Sequence, residues 1–259
     1  DRQPERLMAG LVPIGLVAAF FVTAVLYAAV GFGGGSTYAA LLALSGLDYR
    51  VLPLIALACN IVVVAGSTLR FAGAGVTPWR GAIAVTTLAA PAALLGGLTP
   101  ITEALFFTLL GASLLLTGAT MVLPQFERQD NGEPSRLVRF MPLFAAPLGY
   151  LAGLVGIGGG IFLAPLLHLT RWREPRAIAA TASFFILVNS LFGLAGQMLK
   201  RGPDAFAGAL YESLPLLIAV AIGGQVGSLM ALRILPSRWI RWLTAGLVTI
   251  VGARLLLGG

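Results

Sequence analysis

Long apolar runs alternate with short charged or polar segments along the whole chain. Several of these runs exceed the roughly 18 residues that a membrane-spanning helix requires. The pattern therefore predicts an all-α membrane protein. The apolar runs cover residues 7–30, 36–47, 51–71, 81–98 and 103–123, followed by 140–155, 161–169, 177–199, 207–232 and 239–257.

The order of long and short runs in the first half returns in the second half. Each half contains five helical pieces, and the second piece of each is short. The segment between the halves, PQFERQDNGEPSRLVR, is polar and contains prolines, which is typical of a linker. We predict a first transmembrane repeat over residues 1–123, a linker over 124–139 and a second repeat over 140–259.

Composition agrees with a membrane environment. Hydrophobic residues make up 58% of the chain and charged residues 10%, against about 45–50% and about 25% in soluble domains. The formal charge of +7 would suggest a nucleic-acid partner in a soluble protein. Here the basic residues fall between apolar runs, where they orient spans in a lipid bilayer, so we expect no nucleic-acid binding.

One sequence motif occurs in both halves. Residues 30–35 read VGFGGG and residues 155–160 read VGIGGG. A glycine run at membrane depth interrupts a helix, and the helix that follows presents unpaired N–H groups at its positive end. Two such ends meeting near the midplane predict a small pocket for a compact oxyanion. The candidate residues are Gly33, Gly34, Gly35, Ser36, Gly158, Gly159 and Gly160.

The helix after each short piece carries a further set of polar residues. An alignment of the two helices places Asn60 opposite Ser183 and Ser67 opposite Ser190. Because seven residues make about two helical turns, each pair of polar positions shares a stripe that is able to face the pocket. Hydrogen bonding between helices is the alternative role. The candidate set is Asn60, Ser67, Thr181, Ser183, Asn189 and Ser190.

Two topologies fit the short pieces, which reach only part-way across a ~30 Å hydrocarbon core. If they are re-entrant, each repeat crosses three times, the repeats are inverted, and the 17 Lys and Arg residues divide six against eleven. If they cross completely, the repeats are parallel and the division is ten against seven. The stronger bias favours inversion with the eleven-charge face in the cytoplasm. The six residues on the other face are Arg2, Arg6, Arg50, Lys200, Arg201 and Arg254.

Three basic residues lie at the ends of long apolar runs. Arg70 ends the third piece, and Lys200 and Arg201 end the corresponding piece of the second half. Such side chains either snorkel to the interface or attract an anion to the mouth of a pocket.

The chain lacks the residue groups of a membrane enzyme or metalloprotein. It has one cysteine and one histidine, which exclude a disulfide and a Cys/His metal cluster within one chain. No catalytic triad, metalloprotease motif or P-loop is present in the sequence. We expect no catalytic residues, no metal and no cofactor.

With these residues in view, the chain resembles the sulfite exporter TauE/SafE family of bacterial permeases. The resemblance rests on the GFGGG and GIGGG motifs, the ATAS stretch at residues 180–183, the basic turn at residues 200–202 and GGQVGS at residues 223–228. Where family members often have a threonine-serine pair, this chain has Cys59 and Asn60.

The resemblance implies a transporter that exports sulfite or an organosulfonate across a bacterial inner membrane. It also implies coupling to an ion gradient, with protons as a candidate ion, and a site at the paired glycine motifs. An anion channel and a permease for a carboxylate anion are the alternatives. The sequence leaves the oligomeric state open.

Overall fold

The computed structural model describes residues 12–30, 33–122, 136–230 and 237–257. The described part of the chain is helical and contains no β-strand. Residues 124–135 of the expected linker, residues 7–11 of the first apolar run, and Arg2 and Arg6 lie outside it. The helices are α1 Ile14–Val30, α2 Gly35–Leu44, α3 Leu52–Gly73, α4 Trp79–Leu98, α5 Glu103–Val122, α6 Met141–Val155, α7 Gly160–Leu169, α8 Pro175–Arg201, α9 Pro203–Glu212, α10 Leu214–Met230 and α11 Ser237–Leu257, with a 3₁₀ turn at Arg136–Phe140.

The apolar runs predict these helices closely, with one exception. The described part of the run over residues 207–232 belongs to two helices, α9 and α10, which are bent by 63° relative to each other. Pro215 lacks a backbone N–H, so the hydrogen-bond ladder cannot continue through it. At this break the Ser213 hydroxyl donates to the Ala209 carbonyl at 2.8 Å and so provides a hydrogen-bond donor at the end of α9.

Within the described ranges, five helices are long and apolar enough to cross a membrane unaided. They are Leu52–Gly73, Trp79–Leu98, Glu103–Thr120, Leu137–Val155 and Pro175–Arg201. The bent pair α9 and α10 makes a sixth span if it crosses as one unit. The prediction of an all-α membrane protein is confirmed.

Helices α3 and α8 form the centre of the bundle. In the apolar, membrane-spanning parts of α3 and α8, 72% and 56% of the residues are buried, against 44% in α4 and 39% in α5. The two central helices run antiparallel. Leu57 near the start of α3 lies 3.3 Å from the position that a Cβ on Gly193, late in α8, would occupy. The Trp79 ring, beyond the end of α3, lies 5.5 Å from that of Phe184, early in α8.

The first helix of each half packs against the fourth helical piece of the other half, in two equivalent pairs. Helix α1, the first of its half, packs on α10 of the other half, while α6, the first of the second half, packs on α4. Glycines allow both close approaches, since a Cβ on Gly227 would meet the backbone of Val25 and one on Gly153 the backbone of Ala93. The packing pattern is therefore the same when the two halves are exchanged.

Candidate functional site: the junction of the glycine motifs

Each glycine motif leads into a short helix that begins at a left-handed glycine, and residues 31–32 of the first motif lie outside the described residues. Gly34 caps the start of α2 and Gly159 caps the start of α7, each with φ +74°. This left-handed conformation is readily adopted by glycine, because it has no Cβ to clash with the neighbouring carbonyl. The repeated motif thus encodes a repeated backbone geometry.

The chain folds back at each motif. The Tyr27 hydroxyl is 2.7 Å from the Thr37 hydroxyl, and the Tyr38 ring stacks on that of Phe20 at 4.9 Å. Because Phe20 lies about two turns before Tyr27, α2 folds back against α1 rather than continuing its path. In the second half, a Cβ on Gly159 would lie 3.0 Å from the Leu148 carbonyl oxygen, well before the end of α6.

The two motifs meet each other at the centre of the bundle. A Cβ on Gly35 would lie 2.6 Å from the carbonyl oxygen of Ile157. The Asn60 side chain of α3 lies against both motifs: its Oδ1 is 2.7 Å from the Cβ position of Gly33, and its Nδ2 is 2.8 Å from that of Gly158. We call this region, formed by residues 33–36, 157–160, Asn60, Ile186 and Ser190, the junction.

Helix α8 closes the other side of the junction. The Ile186 Cγ2 atom lies 3.2 Å from the Cβ position of Gly33 and 2.9 Å from that of Gly158. The Ser190 hydroxyl oxygen lies 3.4 Å from the Cβ position of Gly158. In the same way, the Val64 Cγ1 atom of α3 lies 2.9 Å from the Cβ position of Gly33. These contacts make Ile186 the counterpart of Asn60, and Ser190 the counterpart of Val64.

The alignment of Asn60 with Ser183 is therefore wrong by three residues. Three residues are nearly one helical turn, so both alignments keep the polar positions close to one stripe, and the sequence pattern did not separate them. Two other candidates bond elsewhere. Thr181 donates to the Ala177 carbonyl at 2.8 Å, and Ser67 accepts from the Arg70 guanidinium at 3.5 Å. Ser183 is fully buried in α8.

Several buried polar atoms around the junction have no hydrogen-bond partner among the described residues. In the junction they are the Ser36 hydroxyl, both amide atoms of Asn60 and the Ser190 hydroxyl, and both amide atoms of Asn189, the residue before Ser190 on α8, are unpaired as well. All four side chains are at most 1% exposed. Leaving such a group unpaired in a core costs about 1–3 kcal/mol, so these atoms have hydrogen-bonding capacity that a bound solute or water can use.

The start of α2 adds backbone donors to these side chains. The first intrahelical bond of this helix runs from the Tyr38 N–H to the Gly34 carbonyl at 2.9 Å. The N–H groups of residues 35–37 precede it and have no acceptor within the helix. The junction therefore combines amide, hydroxyl and main-chain donors at the positive end of a helix.

The free space at the junction is small. A cavity of about 10 Å³ is lined by the first glycine motif, Ser36 and the side chains of Tyr27, Ile157, Ile161 and Ile186. This is room for about one water molecule. A larger solute enters only if the isoleucine side chains or their helices move.

A larger cavity opens at one end of the bundle. It has a volume of about 270 Å³, and we call it the vestibule. Lys200 and Arg201 line it together with Arg50, whereas Arg70 lies at the opposite end of α3. Arg50 is not among the site residues that the sequence predicts, although the charge count places all three residues on one face. The lining residues are Tyr49, Arg50, Pro53, Pro100, Ile101, Phe106, Leu154, Gln197, Lys200 and Arg201.

A bundle of membrane spans with a polar junction of two helix breaks at its centre defines a multi-pass membrane transporter. Residues 16–255 match the family described as sulfite exporter TauE/SafE, and the chain belongs to this family of transporters. Its members are transporters and not enzymes.

Proteins similar to this chain are also named as membrane transporters. The chain is 35% identical over 249 residues to the probable membrane transporter protein y4hK of Sinorhizobium fredii, covering 94% of this chain and 98% of the relative. It is 23% identical to the probable membrane transporter protein MJ0441 of Methanocaldococcus jannaschii, over 95% and 96% of the two chains. Sulfite exporter TauE/SafE family protein 1 of Arabidopsis thaliana is 36% identical over 39% of this chain and 22% of its own. No solved structure matches the chain significantly.

Proposed function

We propose that the protein is a secondary transporter that exports sulfite or a small organosulfonate, and that it binds this anion at the junction. The observation that carries the proposal is the set of buried, unpartnered polar atoms of Ser36, Asn60 and Ser190 beside the two motifs. A bound oxyanion supplies acceptors for the donors among them, namely the Ser36 and Ser190 hydroxyls and Asn60 Nδ2, and removes the cost of burying these donors unpaired.

The electrostatics of the junction favour an anion. The starts of α2 and α7 each present the positive end of a helix, equivalent to about half an elementary charge. The side chains nearest to the glycine positions there carry amide, hydroxyl, aliphatic or aromatic groups. The helix ends and the Nδ2 group of Asn60 both stabilise a compact oxyanion. Neither of them stabilises a cation.

Inverted repeats and alternating access are part of the proposal. The antiparallel crossing of α3 and α8, which occupy the same place in their halves, supports inversion. So does the exchanged packing of α1 on α10 and α6 on α4. Because the cavity at the junction has room for about one water molecule, the site is closed off rather than part of an open pore, which favours a transporter over a channel.

Location and coupling follow from the family resemblance. We expect a bacterial inner membrane and coupling to the proton gradient, while the distribution of Lys and Arg residues places the vestibule on the periplasmic face. A protonophore should then abolish uphill sulfite movement while leaving exchange across the membrane intact.

Counterflow in proteoliposomes tests the proposed function. Vesicles loaded with unlabelled sulfite should accumulate radiolabelled sulfite transiently and saturably, because a carrier exchanges its bound solute. Ethanesulfonate and acetate in the lumen, at equal concentration, report the substrate class. Accumulation driven by acetate but not by either sulfur anion would contradict the substrate assignment, and flux without counterflow would indicate a channel.

A further inference from the structure

We propose that the vestibule is a second binding site, selective for small anions that carry a hydroxyl group, such as a hydroxyalkyl sulfonate. It rests on the proposed function only in that the protein moves an anion through the junction. The vestibule is built by residues of both halves, since Arg50 precedes α3 and Arg201 ends α8.

The cations of the vestibule bind the charged end of the ligand. Arg201 contributes a guanidinium whose Nε is buried and has no hydrogen-bond partner among the described residues. The Lys200 ammonium donates to the Thr99 carbonyl at 3.3 Å and has further donors to offer. Asp48, which accepts from the Arg50 backbone N–H at 2.9 Å, is not one of the lining residues.

Gln197 gives the vestibule its selectivity for a hydroxyl group. The side chain is 1% exposed, and its Nε2 donates to the Gly153 carbonyl at 3.1 Å. This bond fixes the amide orientation and leaves Oε1 as a buried acceptor with no partner in the described part of the chain. A ligand that brings a hydrogen-bond donor satisfies it, whereas one that lacks a donor does not.

The spacing of these groups sets the size of the ligand. Gln197 and Arg201 are four residues apart on α8, so their Cβ atoms are about 5–6 Å apart on one face. A ligand with a short spacer between its sulfonate and hydroxyl groups is therefore able to contact both side chains. The rings of Tyr49 and Phe106 and the side chain of Leu154 provide apolar walls for that spacer.

The donor is a hydroxyl rather than an ammonium group. Arg50, Lys200 and Arg201 repel a second positive charge in the same cavity. We therefore expect 2-hydroxyethanesulfonate to bind about tenfold more tightly than ethanesulfonate, because a hydrogen bond to an otherwise unpaired buried acceptor is gained. We expect 2-aminoethanesulfonate to bind more weakly than either.

Titration calorimetry of the purified protein with these three sulfonates tests the site. Gln197→Met should bind 2-hydroxyethanesulfonate and ethanesulfonate equally, and Arg201→Gln should weaken both by about tenfold. Arg50→Gln, a change on the exposed loop before α3, should weaken both without disturbing the core. The matched control is Arg176→Gln, which removes one exposed positive charge at the other end of α8 and should bind as wild type.

Asn60→Leu separates this inference from the proposed function. It alters the junction and leaves the vestibule intact, so the preference for the hydroxyl compound should persist. Loss of the preference in Asn60→Leu, or wild-type titrations for both Gln197→Met and Arg50→Gln, would overturn the vestibule site. Neither result would bear on sulfite counterflow, which tests the junction.

Discussion

Asn60 on α3 and Ile186 on α8 occupy equivalent places on opposite sides of the junction. Each side chain lies against both Gly33 and Gly158, yet one is a primary amide and the other a branched alkyl group. The two halves are thus alike in backbone and different in side-chain chemistry. An anion held there meets the Asn60 amide on the α3 side, and the Ile186 side chain together with the Ser190 hydroxyl on the α8 side.

Replacing the amide should separate binding from stability. We expect Asn60→Leu to weaken sulfite binding by at least about tenfold, since Nδ2 is lost as a donor. The free energy of unfolding should stay the same or rise by about 1 kcal/mol, because an unpaired buried amide is removed. Thermal unfolding in detergent and equilibrium binding measure the two effects.

Thr86→Val is the control for the Asn60 change. Thr86 is buried in α4, where its hydroxyl donates to the Ala82 carbonyl at 2.7 Å. This variant also loses a buried polar group but should keep wild-type affinity for sulfite. Equal affinity in Asn60→Leu and wild type would remove Asn60 from the site.

Truncating Ile186 should allow larger anions to enter the junction. Ile186→Ala creates space beside Gly33 and Gly158, so counterflow of propanesulfonate should rise relative to that of sulfite. Loss of a buried isoleucine costs about 2–5 kcal/mol of stability. Ile178→Ala, which truncates an isoleucine that is also buried in α8 but packs in another cluster, should lower stability and leave the ratio unchanged. A similar rise in both variants would assign the effect to general loosening.

Thiol labelling tests the orientation in the membrane. In a Cys59→Ala background, we expect Asp204→Cys to react with an impermeant maleimide in intact cells, and Arg173→Cys only after permeabilisation. The reason is that α8 lies between these positions and the face richer in Lys and Arg belongs in the cytoplasm. The reverse labelling pattern would invert the proposed orientation.

Much of the fold is predictable from the sequence because each span is a continuous apolar run with polar ends. The glycine motifs also predict their own helix breaks, since glycine so readily adopts the geometry of Gly34 and Gly159. The break before α10 was missed because it lies inside an apolar run. Pro215 was its only strong signal.

The sites were less predictable than the spans. Of the polar residues predicted from helical spacing, Asn60 and Ser190 lie beside the glycine motifs. A shift of about one turn preserves such a pattern, and Ile186 is apolar, so the spacing gave no indication of it. The vestibule depends on contact between the loop at Arg50 and the end of α8, about 150 residues later. Such a pairing is a property of the packed bundle and has no local sequence signature.

Equilibrium binding of radiolabelled sulfite to Gly33→Ala is the decisive test of anion binding at the junction. A Cβ added at Gly33 would lie 2.7 Å from Asn60 Oδ1 and 2.9 Å from Val64 Cγ1, so it displaces the amide from the junction. The control is Gly246→Ala in α11, where nothing lies within 4 Å of the added atom. Anion binding at the junction predicts an affinity at least about tenfold lower in Gly33→Ala, with wild-type affinity in the control. Equal affinity in both folded variants would contradict it.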